Sequence, residues 1–192
     1  MAIETIVPDA TTTPHPTWSG TVHTLLSDSG TNNTTIAGSN TGNSFIVSFG
    51  NLTSDIDSIN SIRFYVKGIT GIVRGVAGVC NFDLLNSSDS SYSYAETKTF
   101  TDTTYGTLQG GTERTTSDGS TAWTESDVNG LRMKVTFDSI ANASANLSLD
   151  FLKIDVDYEA PVIPVLTYNS TLNNITMNLG TTVISGGTII IN

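Results

Sequence analysis

The chain has 192 residues, enough for one domain with a substantial hydrophobic core and short extensions. Its 18 acidic and 8 basic residues give a net charge of −10. This excludes nucleic-acid binding, which needs Lys and Arg to displace counterions from phosphates, and a basic surface for anionic lipid. Apolar residues make up only 38 % and charged residues 14 %, while Thr, Ser, Asn and Gly are abundant, so the composition favours an all-β protein with many loops.

Residues 1 to 17 are predicted to form an extended N-terminal arm. Pro8, Pro14 and Pro16 lie among threonines, and the segment has no core of its own. A partner surface would therefore be needed to order it. We expect no signal peptide, because no positively charged segment precedes a long apolar one, and no run is long enough to span a bilayer.

The two-residue period of half-buried strands recurs through the first two thirds of the chain. A first strand is predicted after Trp18, in TWSGTVHTLL, and is followed by a polar loop up to Asn43. Further strands are predicted over 45–49, 62–67, 80–84 and 92–101, the last as an outer strand. Thr124 and Asp127 have the spacing of a capping box, so one helical turn is expected there, next to Trp123, which is expected to seal one end of the core.

The segment from Ser126 to Glu159 shows the strongest pattern and is predicted to be a long hairpin. Apolar residues alternate over 131–137, and again after a polar turn over 147–158. The parity of the second strand changes at Phe151–Leu152, which predicts a β-bulge that keeps both halves facing the core. Such a hairpin has one dry face, which a second sheet must cover.

About eight strands at regular spacing predict an all-β fold of two four-stranded antiparallel sheets over residues 18–159. A jelly roll is favoured. An immunoglobulin-like sandwich is the alternative, but its disulfide and its core Trp between two cysteines are absent.

Few side chains point to catalysis, and no enzyme activity, metal or cofactor is expected. Cys80 is the only cysteine, and its place in a strand pattern favours a buried structural thiol. His15 and His23 do not support a metal site or a Ser-His-Asp arrangement. Paired carboxylates on one strand face can hydrolyse glycosides, but a solvated outer face is favoured for Asp155, Asp157 and Glu159.

Two polar features leave alternatives open. One loop offers oxygen ligands for Ca²⁺, although an ordinary Asx-rich turn is favoured; its residues are Asp28, Asn32, Asn33 and Asn40. Four tyrosines are candidates to stack on sugars, to face a protein neighbour or to enter the core, namely Tyr65, Tyr92, Tyr94 and Tyr105.

Several stretches together resemble a β-sandwich domain that recurs in bacteriophage virion proteins and in some bacterial surface proteins. They are the segment from Trp18 to Asp28, DIDSINSIRFYVKG, AWTESDVNGLRMKVTF and LDFLKIDVDYE. The resemblance covers roughly Trp18 to Glu159 and implies a structural or adhesive module with no catalytic residues.

The last 33 residues, 160–192, contain no charged side chain. Pro161 and Pro164 separate them from the sandwich, and Gly186-Gly187 predicts a hairpin turn. Uncharged strand edges promote aggregation unless they are paired. We therefore expect this segment to drive oligomerisation, with a trimer favoured, or to anchor the sandwich to a larger assembly. The alternative is that it completes its own sandwich. The expected interface residues are Val165, Leu172, Ile175, Met177, Leu179, Val183, Ile184, Ile189, Ile190 and Ile191.

The resulting hypothesis is a non-enzymatic structural protein of a phage virion. It would be a capsid decoration or cement protein, or a tail or fibre component, and it would contact copies of itself and other virion proteins such as the major capsid protein. The alternative is a carbohydrate-binding or host-adhesion module, whose partner would be a glycan.

Overall fold

The computed structural model describes residues 2–14, 17–27, 34–37, 40–71, 77–101, 108–142, 144–162, 165–169 and 174–178. Two antiparallel sheets of five strands each dominate it and confirm the predicted all-β sandwich. Sheet 1 contains β1 (Ala2–Ile6), β3 (Thr34–Ala37), β5 (Ser58–Gly71), β8 (Gln109–Gly110) and β10 (Asn146–Glu159). Sheet 2 contains β2 (Pro8–Thr13), β4 (Ser44–Phe49), β6 (Gly78–Leu85), β7 (Ser91–Phe100) and β9 (Arg132–Ile140).

The remaining elements are short. Helix α1 spans Val22–Ser27 and helix α2 spans Glu125–Asn129. Strands β11 (Val165–Asn169) and β12 (Asn174–Asn178) form a separate two-stranded sheet. Among the described residues, no helix has the length and apolar character needed to cross a membrane.

The eight strands from β3 to β10 have the connectivity of a jelly roll. In sheet 2 the order is β4-β9-β6-β7, and in sheet 1 β10 lies between β3 and β5, with β8 beyond β5. Every link along the chain passes from one sheet to the other, except β6 to β7, which stays within sheet 2. This is the double Greek-key pattern of a jelly roll.

The N-terminal arm is extended, as expected, but it belongs to the sandwich. Strand β1 pairs with the second half of β10, and β2 pairs with β4, so the arm adds one strand to each sheet. Ile6, at the crossing between the sheets, is only 4 % exposed. The prediction of a coreless arm was wrong because the missing apolar partners are supplied by strands far away in the chain.

The predicted hairpin over Ser126–Glu159 was also wrong in its pairing. Strand β9 pairs with β4 and β6, whereas β10 pairs with β1, β3 and β5. The two strands therefore lie in opposite sheets, and their dry faces meet across the core. The five residues 141–145 suffice to cross the distance of about 10 Å that separates packed sheets.

The predicted bulge in β10 is present, one residue earlier than expected. The register against β5 shifts between Leu149 and Phe151, which leaves Asp150 as the extra residue. Leu149 and Leu152 are both fully buried, as the change of parity required. Asp150 is buried too, and its Oδ2 lies 3.4 Å from Nζ of Lys67 on β5.

One helix was predicted and the other was not. Thr124 and Asp127 form the expected capping box at the start of α2, and Trp123 beside it is 3 % exposed. The segment around α1 was predicted as a strand, but Val22 and Leu26 are buried at a spacing of four, which is helical. Thr11 of β2 bonds the backbone N–H and the ring of His23, which fastens the helix to sheet 2.

Aromatic pairs and one thiol fill the space between the sheets. Trp18 meets Phe45 edge-on, and Phe64 of sheet 1 stacks on Phe82 of sheet 2. Cys80 is fully buried, and this burial, together with the nearby Asp138, raises the pKa of its thiol. Its prediction as a buried structural thiol is therefore confirmed.

Candidate functional site

A cleft of about 150 Å³ opens in the outer face of sheet 1. It lies across the adjacent strands β1, β10 and β5. Most of its lining residues are polar, since the apolar residues at alternate positions of these strands face the core. We call it the sheet 1 cleft; its lining residues are Ile3, Ser61, Arg63, Tyr65, Glu113, Asp155 and Asp157.

Tyr65 lines the cleft on β5, and two cations contact its ring. The guanidinium carbon of Arg63 lies 5.4 Å from the ring centroid, and Nζ of Lys153 lies 4.8 Å from it. Lys153 is the register partner of Tyr65 on the neighbouring strand. Both distances allow a cation–π attraction, so the ring is fixed in position.

The three carboxylates of the cleft differ in their partners. Asp155 is neutralised by Lys153 at 2.8 Å and also accepts a hydrogen bond of 2.6 Å from Thr5. Asp157 accepts from the amide of Asn60 at 3.3 Å, and Glu113 accepts from the hydroxyl of Ser61 at 2.8 Å. No described Lys or Arg lies within ion-pair distance of the last two carboxylates.

Arg63 is held at one end of its guanidinium. Its Nε donates to the carbonyl of Gly111 at 2.7 Å, while the described part of the chain contains no carboxylate in an ion pair with it. Its register partner is Asp155, but that carboxylate is paired with Lys153 instead. Among the described residues, no acceptor is bonded to the two terminal nitrogens of Arg63, so these nitrogens can donate to a ligand.

A glycine allows the chain to pass close to this arginine. Gly111 donates its N–H to the carbonyl of Phe64 at 2.8 Å. A Cβ at this position would overlap the ring of Phe64, so only glycine permits the close approach. The segment that carries Glu113 is thereby fixed against β5.

Among the described candidates for contact with a sugar, a protein neighbour or the core, Tyr65 lines the cleft and Tyr92 and Tyr94 do not. The hydroxyl of Tyr92 bonds Asp127 at 3.4 Å, and the hydroxyl of Tyr94 donates to the carbonyl of Thr116 at 2.8 Å. Burial, with the neighbouring carboxylate of Asp127, raises the pKa of Tyr92 to about 12. These two tyrosines are structural, and Tyr105 lies outside the described residues.

A second, much smaller cavity of about 10 Å³ lies beside β7, where Tyr94, Glu96 and Arg114 meet apolar residues of both sheets. This volume is at the lower limit for a single water molecule. Glu96 is bound to Arg114 at 3.0 Å beside it. The cavity is therefore a packing gap at the sheet edge.

The metal candidates gain no support in the described parts of the chain, where no group of three His, Cys, Asp or Glu side chains could hold an ion. His23 is bonded to Thr11, and His15 lies outside the described residues. Of the proposed calcium loop only Asn40 is described, and its carbonyl accepts a turn hydrogen bond from Asn43. Asp28, Asn32 and Asn33 also lie outside.

The expected assembly segment contains the antiparallel hairpin β11–β12. Leu166 pairs with Met177 and Tyr168 with Ile175, while the alternate positions pair polar or mixed residues. Within the described residues the hairpin pairs with neither sheet of the jelly roll. Val165, Ile175 and Met177 of the predicted interface lie in it; Leu172, Leu179, Val183, Ile184, Ile189, Ile190, Ile191 and the Gly186-Gly187 turn lie outside the described residues.

Comparison with known proteins adds no relative. A scan against protein-family models, a search of curated proteins and a search of solved structures each gave no match.

Proposed function

We propose that this chain is a non-enzymatic structural protein whose jelly roll joins a larger assembly through residues 160–192. The resemblance noted above makes a phage virion the proposed assembly, with the chain as a decoration, cement, tail or fibre component. The observation that carries the proposal is the hairpin β11–β12, whose strands pair with each other and, within the described residues, with neither sheet.

A lone two-stranded hairpin is marginally stable in water, since it has too little surface to bury. The hairpin β11–β12 has no partner strand in its own jelly roll, as far as the chain is described. An additional surface would supply what it lacks. A second copy of the chain or a neighbouring protein in a particle would provide that surface.

The register of the hairpin sorts its residues into two sets. Leu166, Tyr168, Ile175 and Met177 occupy paired positions of one parity. The other parity carries Thr and Asn, with Val165 as its one apolar residue. This separation is typical of a sheet with one face covered and one face wet.

The absence of charge supports the same proposal. No Asp, Glu, Lys or Arg occurs in residues 160–192, so the strand edges lack the charges that normally prevent edge-to-edge pairing. Pairing of these edges would explain why such a sequence is tolerated. A homo-oligomer, with a trimer favoured, or a contact with a shell protein would provide it.

The contacts of the reactive side chains support a non-catalytic role. Cys80 is buried, His23 is bonded to Thr11, and Asp155 is bound by both Lys153 and Thr5. Each of these groups has a structural partner or no access to solvent. We therefore expect the double variant Asp155→Asn/Asp157→Asn to keep its fold and its association with particles.

A matched pair of double variants tests the assembly segment in the full chain. We expect Ile175→Lys/Met177→Lys to convert the oligomer into a folded monomer, because two charges would enter the apolar positions of β12. Thr176→Lys/Asn178→Lys adds the same charge to the same strand at the alternate positions and should remain assembled. Sedimentation velocity gives the size of each variant, and circular dichroism reports whether the sandwich is intact.

Two results would contradict the assembly proposal: a wild-type chain that stays monomeric and never sediments with particles, or a first variant whose sandwich unfolds. Fractionation of the native source tests the virion directly. A virion protein must sediment with particles in fixed stoichiometry.

A further inference from the structure

We propose that the sheet 1 cleft is a binding site for a neutral, hydroxyl-rich ligand, a sugar ring of a glycan. The proposal goes beyond assembly and does not depend on residues 160–192. It rests on the concave shape of the cleft, on the hydrogen-bonding groups that meet there and on the aromatic ring of Tyr65 in its lining.

The hydrogen-bonding groups of the cleft divide into two kinds. The carboxylates of Asp157 and Glu113 only accept hydrogen bonds, and the guanidinium of Arg63 only donates them. A ligand that satisfies both must donate and accept from neighbouring atoms. Hydroxyl groups do both, and a sugar ring carries several in a row.

The charges of the cleft narrow the ligand class further. Asp157 and Glu113 lack an ion-pair partner among the described residues and repel anionic ligands, while the guanidinium of Arg63 repels cationic ones. The described residues provide no set of three metal-binding side chains. A purely apolar ligand would leave the charged groups unpaired. A neutral sugar avoids all of these costs.

The side chains of the cleft are also held in place before a ligand binds. Arg63 and Tyr65 lie on β5, and Asp155 and Asp157 lie on β10, so strands of one sheet carry most of the cleft. Side chains on strands are held more rigidly than side chains on loops. Ile3, which is 67 % exposed on β1, adds an apolar rim against which the carbon face of a sugar can pack.

The best matched control substitution is in sheet 2. Asp157 accepts a hydrogen bond from Asn60 at 3.3 Å on the outer face of sheet 1, and Asp138 accepts one from Asn81 at 3.4 Å on sheet 2. Only the first lines the cleft. The substitutions Asp157→Asn and Asp138→Asn therefore make the same change on two outer faces.

In the experiment, the 192-residue chain is applied to an array of defined neutral and acidic glycans. The strongest neutral glycan on the array is then titrated against each variant by calorimetry. We expect binding by the wild type, a loss of affinity of about tenfold or more in Asp157→Asn and in Arg63→Lys, and no change in Asp138→Asn. Arg63→Lys keeps the charge but loses the forked donors, so it tests the geometry of the guanidinium.

Three results would overturn the proposal: no glycan bound on the array, a glycan that binds all variants equally, or capture of an oligolysine peptide instead of a neutral glycan. If Arg63→Lys fails to fold, because its contact with Gly111 is lost, the two Asp variants still decide between the outcomes. Deletion of residues 160–192 is not involved, so failure here leaves the assembly proposal standing, and the reverse is also true.

Discussion

The jelly roll and the hairpin β11–β12 are both antiparallel β-structure, but only the jelly roll uses charge. All 26 charged side chains (18 acidic and 8 basic) precede residue 160. On the edge strand β7, Glu96 and Lys98 lie 3.2 Å apart, and Lys98 donates to the carbonyl of Gly110 at 2.8 Å. The edge of the jelly roll is thus marked by charges that oppose further pairing, whereas the hairpin carries none.

The opposite edge of the jelly roll also carries a charged side chain on its edge strand. Glu4 on β1 accepts hydrogen bonds from the backbone of Thr53 at 2.7 Å and of Ser54 at 3.2 Å. Burial acts to raise the pKa of Glu4, but these hydrogen bonds outweigh it, so its pKa lies below the usual value. This difference between the two regions is the reason for our proposal that the jelly roll stays a separate unit while the hairpin associates.

The largest expected difference between the two regions is in the free energy of unfolding after one apolar side chain is truncated in each. Phe137→Ala in β9 should lower the free energy of unfolding by about 3–5 kcal/mol, because this fully buried ring would leave a cavity. Ile175→Ala in β12 should change the free energy of unfolding by less than about 0.5 kcal/mol while weakening assembly. Urea denaturation followed by circular dichroism measures the first quantity, and sedimentation measures the second.

Equal destabilisation by the two substitutions would mean that the hairpin belongs to the core of the jelly roll. The distinction between the two regions would then be lost, and the assembly proposal with it.

A smaller effect is expected at the bulge, where the jelly roll holds a charge inside. Lys67→Met removes the ammonium group 3.4 Å from the buried carboxylate of Asp150 and should cost about 3 kcal/mol, since the carboxylate stays buried without that cation. The double variant Lys67→Met/Asp150→Asn should recover part of the loss. Lys134→Met, on the exposed face of β9, is the control and should stay within about 0.5 kcal/mol of the wild type in thermal or urea unfolding. A loss for Lys134→Met as large as for Lys67→Met would show that the ion pair is not the cause.

The alternation of apolar and polar residues was enough to predict most strands, the bulge and the capping box, because each of these depends on residues a few positions apart. Leu149 and Leu152 can both face the core only if the strand contains one extra residue between them, and this holds whichever strand pairs with β10. Thr124 and Asp127 specified the start of α2 without any distant partner.

Pairing between distant strands was not predictable in the same way. Strands β9 and β10 each show the pattern of a half-buried strand, and that pattern is the same whether two strands share one sheet or face each other across the core. The arm was misjudged for a related reason: Ile6 looks isolated in the sequence, yet β10 and β4 supply its neighbours. Helix α1 was missed because six residues are too few for a clear helical period.

The sheet 1 cleft could not be assembled from the sequence, because its residues come from four separate segments. The outward parity of Tyr65 beside Arg63, and of Asp155 beside Asp157, was visible as alternation. Taken singly, each pair has the pattern of a solvated outer face. Only the register of β5 against β10 shows that the two pairs are neighbours.

The smallest expected effect is a difference in how the stability of the jelly roll and the assembly of the hairpin depend on pH. Burial acts to raise the pKa of Glu96, but hydrogen bonds from Thr112 and the nearby Lys98 lower it more, so the folded pKa lies below the ordinary value of 4.5. Because the folded pKa is the lower one, the stabilisation by Glu96 is complete above about pH 4.5 and is lost as the pH falls through the folded pKa. Glu96→Gln should therefore cost about 1 kcal/mol at pH 7 and progressively less as the pH is lowered below about 4.5, as measured by urea denaturation at a series of pH values.

The hairpin provides the contrast, since residues 160–192 contain no Asp, Glu, Lys or Arg side chain to titrate over this range. Contacts formed between copies of this segment should keep their strength between pH 7 and pH 4, where sedimentation can follow them while the jelly roll remains folded. A dissociation midpoint inside that range would place charged residues of the jelly roll in the interface. The interface would then extend beyond the uncharged segment, and the division of the chain into a charged, self-contained unit and an uncharged, associating one would have to be redrawn.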